Sequence, residues 1–127
     1  MSDQVARLKD QFNQALMRLE EVLRRSPEQD SIVVDASIQR FEFTIELVWK
    51  ALKSRLLFEG IAATTPRSVM QEAYAAGWID DEQLWLNMLR DRNLTSHTYR
   101  EEQAMEIFRK LPSYAAAMKR LYDRVPW

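Results

Sequence analysis

Two glycines in 127 residues leave little material for the tight turns that sheets and hairpins need, and the apolar residues recur at intervals of three and four rather than two. The chain is therefore expected to be all-α. Val5, Leu8, Phe12, Ala15, Leu19 and Val22 mark one face of a first helix over about residues 3–25, which the polar Ser26-Pro27-Glu28 segment ends. A second helix starts near Ser31 and runs to Glu59, where Gly60 can take the left-handed conformation that closes a helix. At 1.5 Å per residue it would be roughly 40 Å long. Phe41, Ile45, Val48 and Leu52 form one stripe on it, and Phe43, Leu47 and Ala51 form a second. So wide an apolar arc implies either a dimer interface beside the core face or two neighbouring helices within the chain.

Thr65-Pro66 reads as an N-cap with a proline preorganised for the first helical turn, and Gly77 as the stop, giving a short third helix over about 66–76. Asp80 with Gln83 resembles a capping box that opens a fourth helix through Leu84, Trp85, Met88 and Leu89. The last helix is expected to begin after Thr98, with Glu101 completing another capping box, and to run to about Arg124, kinked or split by Pro112. Short connections between long helices favour antiparallel neighbours. The expected architecture is an up-and-down four-helix bundle with one short additional helix, a single domain over residues 1–127.

Composition narrows the chemistry. Eighteen Lys and Arg against nineteen Asp and Glu leave a formal charge of −1, so no global field holds nucleic acid or anionic membrane, and any phosphate binding must be local. With no Cys and one His, His97, the chain has no disulfide, thiolate site or thiol nucleophile, and no His-rich metal site within one copy. Two isolated glycines supply no Gly-rich phosphate loop, and no paired-aspartate segment suggests a nucleotidyltransferase centre. Neither metal nor cofactor is expected. The opening MSDQVARLKDQF has no apolar run of signal-peptide length, and no segment approaches the roughly 18 apolar residues of a membrane span. A cytoplasmic protein without a membrane partner is the expectation.

The densest polar stretch, Arg90 to Arg100, contains the only imidazole and lies at a helix end. On a continuous helix Arg92 and His97 would sit about 140° apart, whereas Asn93 and His97 would face each other. Thr95, Ser96 and Thr98 are weak helix formers, so the helix is expected to fray here, letting His97 swing toward Arg92 while Asn93 holds the ring. One reading is that His97 merely caps the helix or bonds Asn93. The other is phosphodiester chemistry: Arg92 would grip a nonbridging phosphate oxygen with its forked donors, and His97 would move protons near neutral pH. Cleavage by an RNA 2′-hydroxyl needs both a base and an acid, and one histidine supplies one role. A twofold dimer would supply both.

Glu42, Glu46 and Lys50 fall on one line of the second helix, read either as a solvated ion-pair row or with Glu46 orienting Arg92 or tuning His97. Trp78 and Trp85 read first as core, and otherwise as the border of a binding cleft. Arg90, Arg92 and Arg100 could form a local basic patch.

The run Arg92-Asn93-Leu94-Thr95-Ser96-His97-Thr98-Tyr99 resembles the R-x4-H-x-Y signature of HEPN-domain proteins, and the second-helix string FEFTIELVWK strengthens the likeness. Over nearly its whole length the chain resembles the nucleotidyltransferase substrate-binding proteins, a HepT-like branch of the HEPN superfamily. The resemblance implies a homodimeric four-helix bundle that pairs with a cognate small nucleotidyltransferase. Members with an intact motif are toxin ribonucleases of toxin-antitoxin pairs, and the likeness maps their catalytic pair onto Arg92 and His97. Asn93, Ser96 and Glu46 become supporting candidates. Tyr99 matches the tyrosine to which the partner enzyme transfers AMP, silencing the toxin; packing at the bundle end is its other reading. A competing expectation is a non-catalytic nucleotide- or substrate-binding subunit of a two-component nucleotidyltransferase. RNA or a nucleotide is the expected ligand in either case.

Overall fold

The computed structural model describes residues 2–25, 32–97 and 100–127, with the side chains of residues 96 and 97 outside that description. Five helices follow in order: α1 (Asp3–Leu23), α2 (Ile32–Phe58), α3 (Pro66–Ala75), α4 (Glu82–His97) and α5 (Glu101–Arg124). They form the up-and-down bundle of four long helices with α3 as the short addition. The spacer at residues 26–28 lies outside the described residues.

Several helix ends have a local cause. Ser2 caps α1 by accepting the Val5 N–H at 3.1 Å. Thr65 and Ser68 cap α3 reciprocally, Thr65 Oγ1 accepting the Ser68 N–H and Ser68 Oγ accepting the Thr65 N–H, each at 3.1 Å. Gly60 and Gly77 carry φ of 85° and 81°. Beyond them the Ile61 N–H reaches the Leu56 carbonyl and the Trp78 N–H reaches the Ala73 carbonyl, both at 2.9 Å. These are the six-to-one bonds of a Schellman ending. A Cβ added at Gly77 would meet no heavy atom within 4 Å. Gly77→Ala should therefore cost only the left-handed backbone penalty, about 1–2 kcal/mol; urea unfolding identical to the parent would refute this.

Two boundaries differ from expectation. Asp81, not Asp80, caps α4, its Oδ1 accepting the Leu84 N–H at 3.1 Å; Asp80 instead faces Arg120 and Arg124 of α5 at 3.6 and 3.8 Å. Arg100 is the N-cap residue of α5 and makes no side-chain cap bond, while Thr98 lies outside the described residues. Pro112 neither splits nor ends α5. Leu111, Tyr114, Ala115 and Met118 around it are buried, and that packing holds the helix across the one missing backbone donor.

α2 is the axis of the bundle and touches all four other helices. Its first stripe, Phe41, Ile45, Val48 and Leu52, is completely buried among Phe12, Leu16 and Leu19 of α1 and Leu111, Tyr114 and Met118 of α5. The second stripe divides: Ala51 joins the core, Leu47 is half-buried, and Phe43 stays 62% exposed. None of the described helices covers Phe43. In α1, Leu16 takes the core position expected of Ala15, which is only half-buried. Trp78 and Trp85 are core residues, 9% and 1% exposed, as their first reading expected. Arg55, nearly buried in α2, donates from Nε to the Pro126 carbonyl at 2.7 Å and so ties the segment after α5 to the bundle. None of the described helices is long and apolar enough to cross a membrane.

Candidate functional site

The geometry of the polar segment follows from how α4 is rotated. Trp85, Met88 and Asp91 recur at three-residue intervals and all point inward, so the inward face ends on a carboxylate instead of an apolar group. Asp91 is 1% exposed and accepts a hydrogen bond from the Tyr114 hydroxyl at 2.5 Å and one from Lys110 Nζ at 3.3 Å, both on α5. A buried carboxylate without such partners would be strongly disfavoured. This anchorage fixes the rotation of α4. Burial, followed by the Asp91 hydrogen bond, pushes the Tyr114 phenol above its ordinary pKa.

One residue further, about 100° round the helix, Arg92 points to α2. Its Nη1 lies 3.7 Å from Glu42 Oε2 and its Nη2 lies 4.0 Å from Glu46 Oε2. Two carboxylates one turn apart thus hold one guanidinium across the α2–α4 contact. Glu46 also pairs with Lys50 at 3.8 Å, so the ion-pair row and the orienting role coexist. Glu42, read from sequence only as a member of that row, is the nearer of the two carboxylates. Its approach to Arg92 depends on the helix packing and leaves no local signature.

α4 does not fray before the histidine. Its backbone is helical through His97, and the Thr95 hydroxyl donates to the Arg92 carbonyl at 2.9 Å, bonding back without breaking the helix. The five-residue spacing therefore keeps positions 92 and 97 about 140° apart. The expected swing of His97 toward Arg92 does not take place in the backbone. The side chains of Ser96 and His97, and Tyr99 altogether, lie outside the described residues.

Two depressions flank this segment. One, about 460 Å³, is enclosed by α2, the start of α3 and α4, and its wall includes Glu46, Trp49, Arg67, Arg90, Arg92 and Asn93. The other, about 300 Å³, lies beyond Glu42 and takes in Thr95, Arg100 and Gln103. Arg90 and Arg92 therefore share a cavity as the local patch required, whereas Arg100 belongs to the adjacent hollow. Arg67 was not anticipated: it joins the patch only because α3 packs against α2 and α4. Among the described residues no group of three or more His, Cys, Asp and Glu is arranged to hold a metal ion.

The architecture is that of an all-α bundle whose chemistry-bearing segment closes the fourth helix beside a small arginine-rich cavity. The sequence pattern of the family described as nucleotidyltransferase substrate binding protein like matches residues 7–126. The chain belongs to that family.

A curated relative from Haemophilus influenzae, named probable ribonuclease HepT, is 34% identical over 91 residues, 68% of this chain. The chain spans only 62% of that relative's length. A crystal structure from Thermus thermophilus shares 39% identity at a TM-score of 0.84, covering 91% of this chain and 99% of the other. A Haemophilus influenzae structure, described as revealing the fold of a substrate binding domain of a nucleotidyltransferase, shares 25% identity at a TM-score of 0.80, covering 91% and 96%. The structure of a tri-AMPylated Shewanella oneidensis HEPN toxin in complex with MNT antitoxin matches at a TM-score of 0.78, covering 97% and 96%; at 15% identity this likeness speaks to the fold alone.

Proposed function

We propose that the protein is a homodimeric HEPN endoribonuclease, neutralised by a cognate small nucleotidyltransferase that transfers AMP to Tyr99. The observation that carries this reading is the placement of Arg92: the Asp91 anchor and the Glu42–Glu46 pair present its guanidinium at the edge of a cavity, five residues before the chain's one imidazole. The name of the Haemophilus influenzae relative, a probable ribonuclease, agrees with it.

In the proposed reaction the RNA 2′-hydroxyl attacks the adjacent phosphorus, the P–O5′ bond breaks, and a 2′,3′-cyclic phosphate and a 5′-hydroxyl result. Arg92 neutralises the charge that grows on the nonbridging oxygens. One His97 takes the 2′-hydroxyl proton, and the other delivers a proton to the departing oxygen. Two imidazoles meet only if two copies of α4 end at one twofold axis. Asn93, on the cavity wall, and Ser96 would assist in holding the phosphate, and Glu46 with Glu42 orients Arg92. AMP on Tyr99 would place negative charge two residues from His97 and repel the substrate.

A specific observation favours a second reading, the non-catalytic substrate-binding subunit of a two-component nucleotidyltransferase: the formal charge is −1, low for a protein that captures RNA by its own field. The deciding experiment is incubation of the partner-free protein with mixed RNA in excess chelator. Fragments ending in cyclic phosphate are expected. Intact RNA, together with harmless expression in cells, would establish the binding subunit instead. After incubation with the partner and ATP, mass spectrometry should find AMP on Tyr99; an unmodified tyrosine beside an active partner removes the regulatory role.

A further inference from the structure

We propose that the cavity between α2, α3 and α4 is a nucleotide subsite of the same RNA site, in which Trp49 stacks a base and Arg67 with Arg90 holds the flanking phosphates. The identity of the ligand as RNA rests on the ribonuclease reading; the existence of the subsite rests on the cavity.

Its volume, about 460 Å³, lies within the range of ordinary small-ligand pockets. Three arginines against one glutamate, Glu46, give the wall a formal charge of +2 in a chain whose total is −1. Arg92 is paired with Glu42 and Glu46, and Arg90 lies 3.8 Å from Asp91, so of the three arginines Arg67 is the one that no carboxylate among the described residues pairs. It is also exposed, so it meets a phosphate without first breaking an ion pair to any described carboxylate. The reciprocal Thr65–Ser68 cap fixes the backbone of the first turn of α3, from which Arg67 projects.

A free phosphate would need only the arginines. The same wall also carries the half-buried indole of Trp49 beside Ile45, Leu86 and Leu89, an apolar surface that suits a base. Lys53 Nζ stands 5.9 Å from the centroid of the Trp49 ring, adding a cation beside the aromatic surface. Thr65 and Asn93 offer a hydroxyl and an amide for base edges. Arg92 belongs both to this wall and to the R-x4-H segment, so a nucleotide in the cavity would be contiguous with the scissile phosphate. A concave, arginine-rich pocket of this size fits one nucleotide better than a flat protein contact.

The test uses the full-length His97→Ala protein, which keeps the RNA whole, titrated with a short single-stranded oligoribonucleotide and followed by anisotropy. Loss of one stacked base weakens binding by about 5- to 150-fold, so Trp49→Ala is expected to raise Kd about tenfold, with Trp49→Phe retaining most of the affinity. Arg67→Glu, an exposed change that leaves the core untouched, is expected to raise Kd at least as much and to reduce the salt dependence. Arg7→Ala on α1 should change nothing. An abasic oligonucleotide should bind the parent about as weakly as the intact one binds Trp49→Ala.

Unchanged affinity in folded Trp49→Ala and Arg67→Glu, or no saturable RNA binding by any form, overturns the subsite. So does loss of partner binding with RNA binding intact, which would make the cavity a protein-docking surface. The two readings separate cleanly. Trp49-dependent binding by a wild-type protein that cleaves nothing keeps the subsite and removes the nuclease, whereas cleavage indifferent to Trp49 and Arg67 does the reverse.

Discussion

Replacing His97 by Ala is expected to reduce RNA cleavage by about 10²–10⁴-fold, the usual contribution of a positioned acid or base. Arg92→Ala should fall in the same range, and Arg92→Lys should recover little, because a compact ammonium cannot match the forked grip of a guanidinium. The size of the loss does not by itself distinguish one histidine per site from two. A heterodimer of one wild-type and one His97→Ala protomer does. If each protomer worked alone, that heterodimer would keep about half the activity. With both imidazoles serving one shared phosphate it should fall nearly as far as the double variant, since each reaction needs both proton transfers. Differently tagged protomers, co-purified and assayed in chelator, give the measurement. Retention of half the wild-type rate would overturn the shared site while leaving the bundle as described.

The second large effect concerns Asp91 and Tyr114, which touch no substrate in the proposed reaction. Tyr114→Phe removes a hydrogen bond to a buried carboxylate and should cost about 1.5–3 kcal/mol. For a domain of this size that is roughly 5–12 °C in Tm. Asp91→Ala should cost about as much, because the Tyr114 hydroxyl would be left buried without its acceptor. Asp91→Asn, which still offers an oxygen to that hydroxyl, should recover part of the loss. Since this contact sets the rotation of α4, the variants that remain folded are expected to show a lower kcat at nearly unchanged KM. A stability loss with kcat intact would mean that Asp91 holds the bundle but not the site.

The same pair predicts a direction for alkaline pH. The folded state favours the neutral phenol of Tyr114, so its contribution is complete below the ordinary tyrosine value of about 10 and is lost as pH rises through the elevated folded-state value. Wild-type stability should therefore decline above about pH 10 more steeply than that of Tyr114→Phe. Parallel curves would show that the phenol is not the responsible group.

The parts of the structure legible in the sequence are those that depend on neighbours a few residues apart. Thr65 caps the helix it precedes, Gly60 and Gly77 close α2 and α3, and the Phe41–Leu52 stripe lies in the core. Where several local solutions compete, the reading slipped by one residue: Asp80 and Asp81 are equivalent as caps in sequence, and the ion pairs to Arg120 and Arg124 claim Asp80. The fray expected before His97 failed for a related reason. The Thr95 hydroxyl bonds back to the Arg92 carbonyl, and the helix continues.

What chemistry the chain can carry was set by its residues alone: one imidazole, no thiol, and an arginine five positions before the histidine. What surrounds that arginine was decided only by packing. Glu42 instead of Glu46 as the nearer carboxylate, Asp91 turned inward onto Tyr114, and Arg67 brought beside Arg90 all depend on how helices distant in sequence are rotated against one another. A turn or a cap is chosen by the energies of a few adjacent groups. The rotation of one helix on another is chosen by the whole buried surface at once, and no short stretch of sequence contains it.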